Sequence, residues 1–186
     1  MVNLDKKTID RRLVALAKVS SENFRAIMER YWDRLFGYVR RISYFSQEDI
    51  EDILQEVFLK VFRYLNDYDE KLAFSTWIYR IAHNCVIDEI RKKKARPKDV
   101  WLEAEEWRTI FQDKLDLENF LTIKISLEKV KQIMEKLPLE YKEVLILRFW
   151  EEKDYEEIMD ILQKPKGTVA SLINRGRKKL LEELRK

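Results

Sequence analysis

The sequence predicts an all-α protein: two small helical domains joined by an acidic linker, the C-terminal one a helix-turn-helix bundle. Three observations lead there. Only 3 glycines and 3 prolines stand among 186 residues, too few turn formers for a sheet protein, whereas Lys, Glu, Leu and Ile abound. Apolar residues, 46% of the chain, recur at spacings of three and four and suffice to bury real cores at this length. Finally, the net charge of +3 conceals a partition. "RKKKARPK", residues 91–98, is basic apart from Ala95 and Pro97, and "DVWLEAEEWRTIFQDKLDLENF" after it is mostly acidic. From Ile161 onward, eight Lys and Arg face only Glu182 and Glu183. Two basic islands flank an acidic middle, and local charge is what a polyanion senses.

Residues 1–21 read as an N-terminal extension with a short helix over 8–19. The first domain, 22–98, opens with one long helix whose apolar face is Phe24, Ile27, Met28, Tyr31, Leu35, Tyr38 and Ile42. A second helix repeats the pattern through Ile50, Ile53, Leu54, Val57, Phe58, Val61, Phe62 and Leu65, and the two should pack together. "NDYDEKLAFS" breaks the periodicity. Ser75 is the expected N-cap of a third helix that turns Trp77, Ile78, Ile81, Cys85 and Ile90 inward and stops before Pro97. Residues 99–125 form the acidic linker, which fully extended spans roughly 90 Å at about 3.3 Å per residue. Within it Val100, Ala104, Trp107 and Phe111 keep helical spacing. The second domain, 126–186, starts at a Ser126 N-cap with Leu127, Val130, Ile133, Met134 and Leu137 before Pro138. A helix with Val144, Leu145, Leu147 and Arg148 follows, then Tyr155, Ile158, Met159 and Leu162. After the turn "QKPKG" the last helix buries Val169, Leu172, Ile173, Gly176 and Leu180.

Several chemistries are disfavoured. Cys85 and His83 are the only residues of their types, so no internal disulfide and no Cys/His zinc site is expected. Most of the carboxylates fall on exposed helix faces beside Lys or Arg, and none form an inward magnesium cluster. A glycine-rich phosphate loop is lacking. The expectation is a protein without cofactor, metal or catalysis. No apolar run approaches the roughly 20 residues that cross a bilayer, and "MVNLDKKTIDRR" lacks a signal peptide's apolar core. Cytoplasmic location without membrane insertion is expected.

The last helix leaves Ala170, Ser171, Asn174, Arg175, Arg177 and Lys178 on its outer faces. An α-helix fits the DNA major groove, where Asn and Arg pair with base edges and Lys and Ser hold phosphates. In a helix-turn-helix the front of the second helix meets the bases, which selects Lys166, Thr168, Ala170, Ser171, Asn174 and Arg175, with Lys178 further along. The ordinary alternative is a solvated basic helix end that complements the helix dipole. A second helix free of acids until Glu182 favours DNA.

"DYEEIMDILQKPKGTVASLINRGRKKL" resembles the C-terminal helix-turn-helix of bacterial RNA polymerase sigma factors of the extracytoplasmic-function (ECF) group, and "LPLEYKEVLILRFW" the segment before it. "DIEDILQEVFLKVFRYL" and "FSTWIYRIAHNCVIDEIRKKK" resemble the two helices that grip core polymerase and open the promoter. The match covers about residues 22–96 and 126–184, in order. It implies a protein that binds core RNA polymerase, recognises the −10 and −35 promoter elements and promotes melting. Asp52, Gln55 and Glu56 match the polymerase-binding helix, and opposite the apolar stripe they also fit a solvated face. The loop from Asn66 to Phe74 corresponds to the one that captures a flipped base, with Tyr68, Lys71 and Phe74 as contacts. Phe74 also fits the core. Trp77, Arg80, His83 and Asn84 match the start of the helix that meets the −10 element; Trp77 fits the core better than a contact, and His83 fits a surface donor. Arg91 to Lys94 and Arg96 would clamp the DNA backbone.

The chain also departs from the family pattern. Ala170, Ser171 and Leu172 stand where a Lys-Ser-Arg type triplet is usual, and Gly176 stands where alanine is. Backbone contacts and DNA shape would then carry more of the −35 choice. The resemblance further implies that the acidic linker threads through polymerase and that an anti-sigma factor is a possible partner. Two rival readings exist: a helix-turn-helix regulator acting without polymerase, and a magnesium-dependent enzyme acting on nucleic acid.

Overall fold

The computed structural model of the protein describes residues 5–43, 45–93, 132–134 and 136–185. Every regular element among the described residues is helical. None of the described helices is long and apolar enough to cross a membrane. The chain divides into two compact units.

The first unit holds four helices: α1 (Lys6–Val19), α2 (Phe24–Ser43), α3 (Gln47–Tyr64) and α4 (Phe74–Lys93). α1 starts two residues earlier than its periodicity predicts because Asp5 caps it, its carboxylate accepting from the Thr8 N–H at 2.6 Å. That hydrogen bond holds the exposed Asp5 carboxyl below its ordinary range. α3 has a serine N-cap at Ser46 with Glu48 and Asp49 in its first turn, where acids complement the helix dipole. α2 packs on α1, α3 and α4, and α3 packs on α4.

The inward stripes are mostly those the sequence predicts. Ile27, Leu35, Tyr38, Ile50, Leu54, Val57, Val61 and Ile78 are all sealed from solvent. Phe62 is an exception at 49% exposed; it lies on the flank of the α3 stripe and meets Phe24 edge to face at 5.1 Å. α4 begins at Phe74 rather than after a Ser75 cap. The Ala73 carbonyl accepts from the Thr76 and Trp77 N–H groups at 2.9 and 3.1 Å, so Ser75 already lies in the first turn.

In the second unit, residues 132–134 and 136 are helical and Ile133, Met134 and Leu137 are buried. Pro138 is extended and its carbonyl accepts from Tyr141 and Lys142, which starts α5 (Leu139–Leu145). The predicted regular helix then widens into a π-turn at Ile146–Trp150, closed by the Glu151 N–H on the Ile146 carbonyl at 3.1 Å. α6 (Tyr155–Leu162) opens with a reciprocal capping box between Asp154 and Glu157. It ends at Gln163, whose left-handed backbone (φ 52°, ψ 43°) makes the turn expected of a glycine. Gly167 instead lies inside α7 (Lys166–Arg185). α7 packs on α5. The Ser126 cap and the helical stretch at Val100–Phe111 lie outside the described residues.

Candidate functional site

Three surfaces gather the residues that the sequence singles out. The first is a groove of about 440 Å³ between α3 and α4. Asp52, Gln55 and Glu56 are exposed on α3 as predicted, and Asp52 and Glu56 line the groove. The fold adds Asp49 from the first turn of α3, and Asp88 and Glu89 from α4. Five carboxylates thus share the groove with Lys60 and Lys92. The α3 acids lie three and four residues apart and are legible as one face; that α4 supplies two more is not, because it depends on how the helices pair. Lys60 reaches Glu56 at 3.2 Å and the Cys85 sulfur at 3.4 Å. Burial alone would lower the Lys60 pKa, but Cys85 and Glu56 outweigh it and the ammonium is held above its ordinary value. Burial pushes the Cys85 thiol up despite that neighbour, so it is no reactive thiolate.

The second surface comprises the 66–74 loop and α4. A 3₁₀ turn at Leu65–Asp67 leads into the loop. Lys71 lies at its exposed tip, its N–H donating to the Asp69 carboxylate at 3.0 Å. Tyr68, Phe74 and Trp77 are 6%, 3% and 8% exposed. Their rings form a triangle with centroids 5.1–5.6 Å apart, and Tyr31 adds an edge-to-face contact to Phe74 at 5.6 Å. Each such contact is worth about 0.5–1.5 kcal/mol beyond area burial. The Tyr68 hydroxyl donates to the Leu72 carbonyl. Burial, with Glu70 adding, pushes the Tyr68 pKa up to about 12. In this structure the three aromatics support the loop from beneath and present no free ring face.

On α4, Arg80 is half-buried and Asn84 and Arg91 are exposed. Spacings of four and seven place the three on one face. His83 corrects the expectation of a surface donor. It is 7% exposed and its Nδ1 lies 3.1 Å from the Tyr38 hydroxyl, in a pocket made polar by that tyrosine of α2. Arg91 pairs with Asp88 at 3.5 Å. Lys94 and Arg96 lie outside the described residues.

The third surface is the outer side of α7. Lys166, Thr168, Asn174, Arg175 and Lys178 are exposed and Ser171 is half-buried. Ser171, Asn174, Arg175 and Lys178 follow an i, i+3, i+4, i+7 course and form one face, opposite the buried Val169, Leu172, Ile173 and Leu180. Such a helix can enter a major groove with its inner face still packed. Among the described residues no cluster of His, Cys, Asp and Glu has the geometry to hold a metal ion.

Comparison with known proteins places the sequence in a family. The family model described as Sigma-70 region 2 matches residues 27–96, and that of Sigma-70, region 4 matches residues 127–180. The chain is 33% identical over 186 residues to the ECF RNA polymerase sigma factor SigW of Bacillus subtilis (strain 168), with 95% of this chain and 97% of that protein covered. It is 32% identical over 165 residues to the ECF RNA polymerase sigma-E factor of Escherichia coli (strain K12), covering 86% and 85%. Its fold resembles CnrH, solved in complex with the cytosolic domain of CnrY, with a TM-score of 0.68 at 22% identity over 95% of this chain and 97% of that one. It also resembles the sigma factor RpoE of Bartonella quintana, solved with the anti-sigma factor NepR, with a TM-score of 0.63 at 19% identity over 88% and 98%. Family models matching both parts of the chain and kinship along nearly its whole length lead to one conclusion: the chain belongs to the ECF group of RNA polymerase sigma factors.

Proposed function

We propose a division of labour among the three surfaces. The first domain, residues 22–98, binds core RNA polymerase through the acidic groove, with Asp52 and Glu56 pairing basic groups of the polymerase and Gln55 beside them. The 66–74 loop and the exposed side of α4 hold the melted −10 strand: Lys71, Arg80, Asn84 and Arg91 make contacts, and Tyr68, Phe74 and Trp77 shape the loop. The second domain, residues 126–186, reads the −35 element with Lys166, Thr168, Ser171, Asn174, Arg175 and Lys178. The linker at 99–125 spans the distance between them, its acids standing in for the nucleic acid that later fills the polymerase channels. The protein acts by binding, in the cytoplasm where polymerase and DNA are, and its exposed faces suit an inhibitory anti-sigma partner of the kind solved with the Bartonella quintana relative.

The observation that carries this reading is the separation of charge onto opposite chemistries. The α3–α4 groove is dominated by carboxylates, whereas the outer face of α7 has no acid before Glu182. A regulator binding duplex alone would have no use for the groove. The α7 assignment is tested by measuring promoter affinity of holoenzyme carrying Arg175→Ala or Asn174→Ala. A base contact is worth about 1–3 kcal/mol, so affinity should fall about tenfold, with polymerase binding unchanged. Unaltered promoter affinity in both variants would remove α7 from DNA recognition.

A further inference from the structure

The sequence assigns no role to the N-terminal extension, yet the structure docks α1 against the 66–74 loop. Asp10 fastens it. This carboxylate is 6% exposed, accepts from Arg30 Nε at 2.7 Å through one oxygen and from the Tyr31 hydroxyl at 2.7 Å through the other. Tyr31 in turn meets Phe74 edge to face, so the carboxylate that holds α1 also orients the ring beneath the loop. At the far end of the helix, Lys18 pairs with Glu70 of the loop at 3.2 Å, and its ammonium lies 5.8 Å from the Tyr68 ring centroid.

The helix edge turned to the loop is cationic. Lys7, Arg11 and Lys18 fall at i, i+4 and i+11, a single line along α1. Lys7 and Arg11 line a small cavity of about 80 Å³ together with Lys71, Asp10 and Glu70, with Tyr68, Leu72, Ala73 and Phe74 as the loop side. The two acids are already engaged, Asp10 by Arg30 and Glu70 by Lys18. Lys7, Arg11 and Lys71 therefore give the rim a positive excess, all three with exposed side chains. A cationic rim over an aromatic-backed loop suits a phosphate flanking an unstacked nucleotide.

We propose that α1 is one wall of the single-strand site: Lys7 and Arg11 contact phosphates of the melted strand, and Asp10 and Lys18 are positioning residues that hold α1 and the loop in register. This rests on the reading of the 66–74 loop as the base-capturing loop. It assigns to residues 5–19 a direct part in promoter opening.

The test uses the full chain assembled with core polymerase. The probe is a promoter fragment recovered by run-off transcription, offered fully paired or pre-opened by mismatches across the −10 region. For Lys7→Gln/Arg11→Gln, affinity for the pre-opened fragment should fall about tenfold. The salt dependence of binding should flatten by about 1.4 in log–log slope, two phosphate contacts at about 0.7 each on single-stranded DNA. Affinity for core polymerase should not change. A loss of helix stability alone would not flatten the slope. Lys18→Glu should lower permanganate reactivity of the −10 thymines, and the charge swap Lys18→Glu/Glu70→Lys should restore it. An unchanged slope and affinity in the double-Gln variant overturns the phosphate contacts, and a swap no better than Lys18→Glu overturns the positioning role. A wild-type holoenzyme that opens no promoter overturns the functional reading and this inference with it; wild-type opening matched by every variant overturns the inference alone.

Discussion

A Cβ at position 176 would sit 3.2 Å from Tyr141 Cβ and 3.3 Å from Leu145 Cδ1, so α7 and α5 approach as closely as a missing side chain allows. Gly176→Leu should therefore destabilise the second unit by about 1–3 kcal/mol, as overpacking does. Gly176→Ala should stay near neutral, because about 1 kcal/mol of helix propensity opposes the crowding. Urea unfolding at constant m-value checks both, and an unperturbed Gly176→Leu would mean the two helices are not tightly apposed. The apolar stripe made this glycine legible in sequence. Other residues were not legible at this scale. Nothing in spacing tells that His83 turns toward Tyr38 while Asn84 turns outward, since both lie on the border of the α4 stripe. Likewise an aromatic such as Tyr68 reads equally as a stacking platform or as a loop support. Its burial against Phe74 and Trp77 comes from three segments meeting.

Helix interiors were legible from their apolar spacing, whereas helix starts were not: the Asp5 cap puts the α1 start two residues before the one its periodicity predicts. Ser46 and Asp154 cap α3 and α6 and stand before their apolar runs as capping residues should. α4 is started by the Ala73 carbonyl, and carbonyls carry no sequence signal. The π-turn after α5 is similarly hidden, as it needs only one extra residue in a turn of ordinary apolar side chains. The α6–α7 turn gives a direct test. Gln163 holds φ 52°, a left-handed conformation that disfavours a residue with a Cβ by about 1–2 kcal/mol. Gln163→Gly should raise stability by up to about 1 kcal/mol after the added freedom of the unfolded chain is subtracted. Asp154→Ala, which removes half of the capping box, should lower it by about 1 kcal/mol. Thermal unfolding of both variants reads the result; a destabilised Gln163→Gly would show that the Gln163 side chain outweighs its backbone strain.

Over the whole molecule, function follows from how charge is distributed along a nearly neutral chain. The basic islands and acidic middle are visible in the sequence, as is the order of the two domains, because both are one-dimensional properties. The acidic groove is not, for it arises only when Asp88 and Glu89 of α4 come beside Asp49, Asp52 and Glu56 of α3. Nor is the docking of α1, which depends on Asp10 finding Arg30 and Tyr31 of α2 and on Lys18 finding Glu70 of the loop. The groove is proposed to recruit core polymerase to promoters. Run-off transcription tests it most directly, with purified core polymerase and fragmented genomic DNA, comparing no added protein, the wild type, and Asp52→Lys/Glu56→Lys. Transcripts from defined start sites that need the wild-type protein and vanish with the charge-reversed variant are the predicted result. Wild-type levels of transcript from the charge-reversed variant would contradict the groove's role, and tight duplex binding without any protein-dependent transcript would contradict the account as a whole.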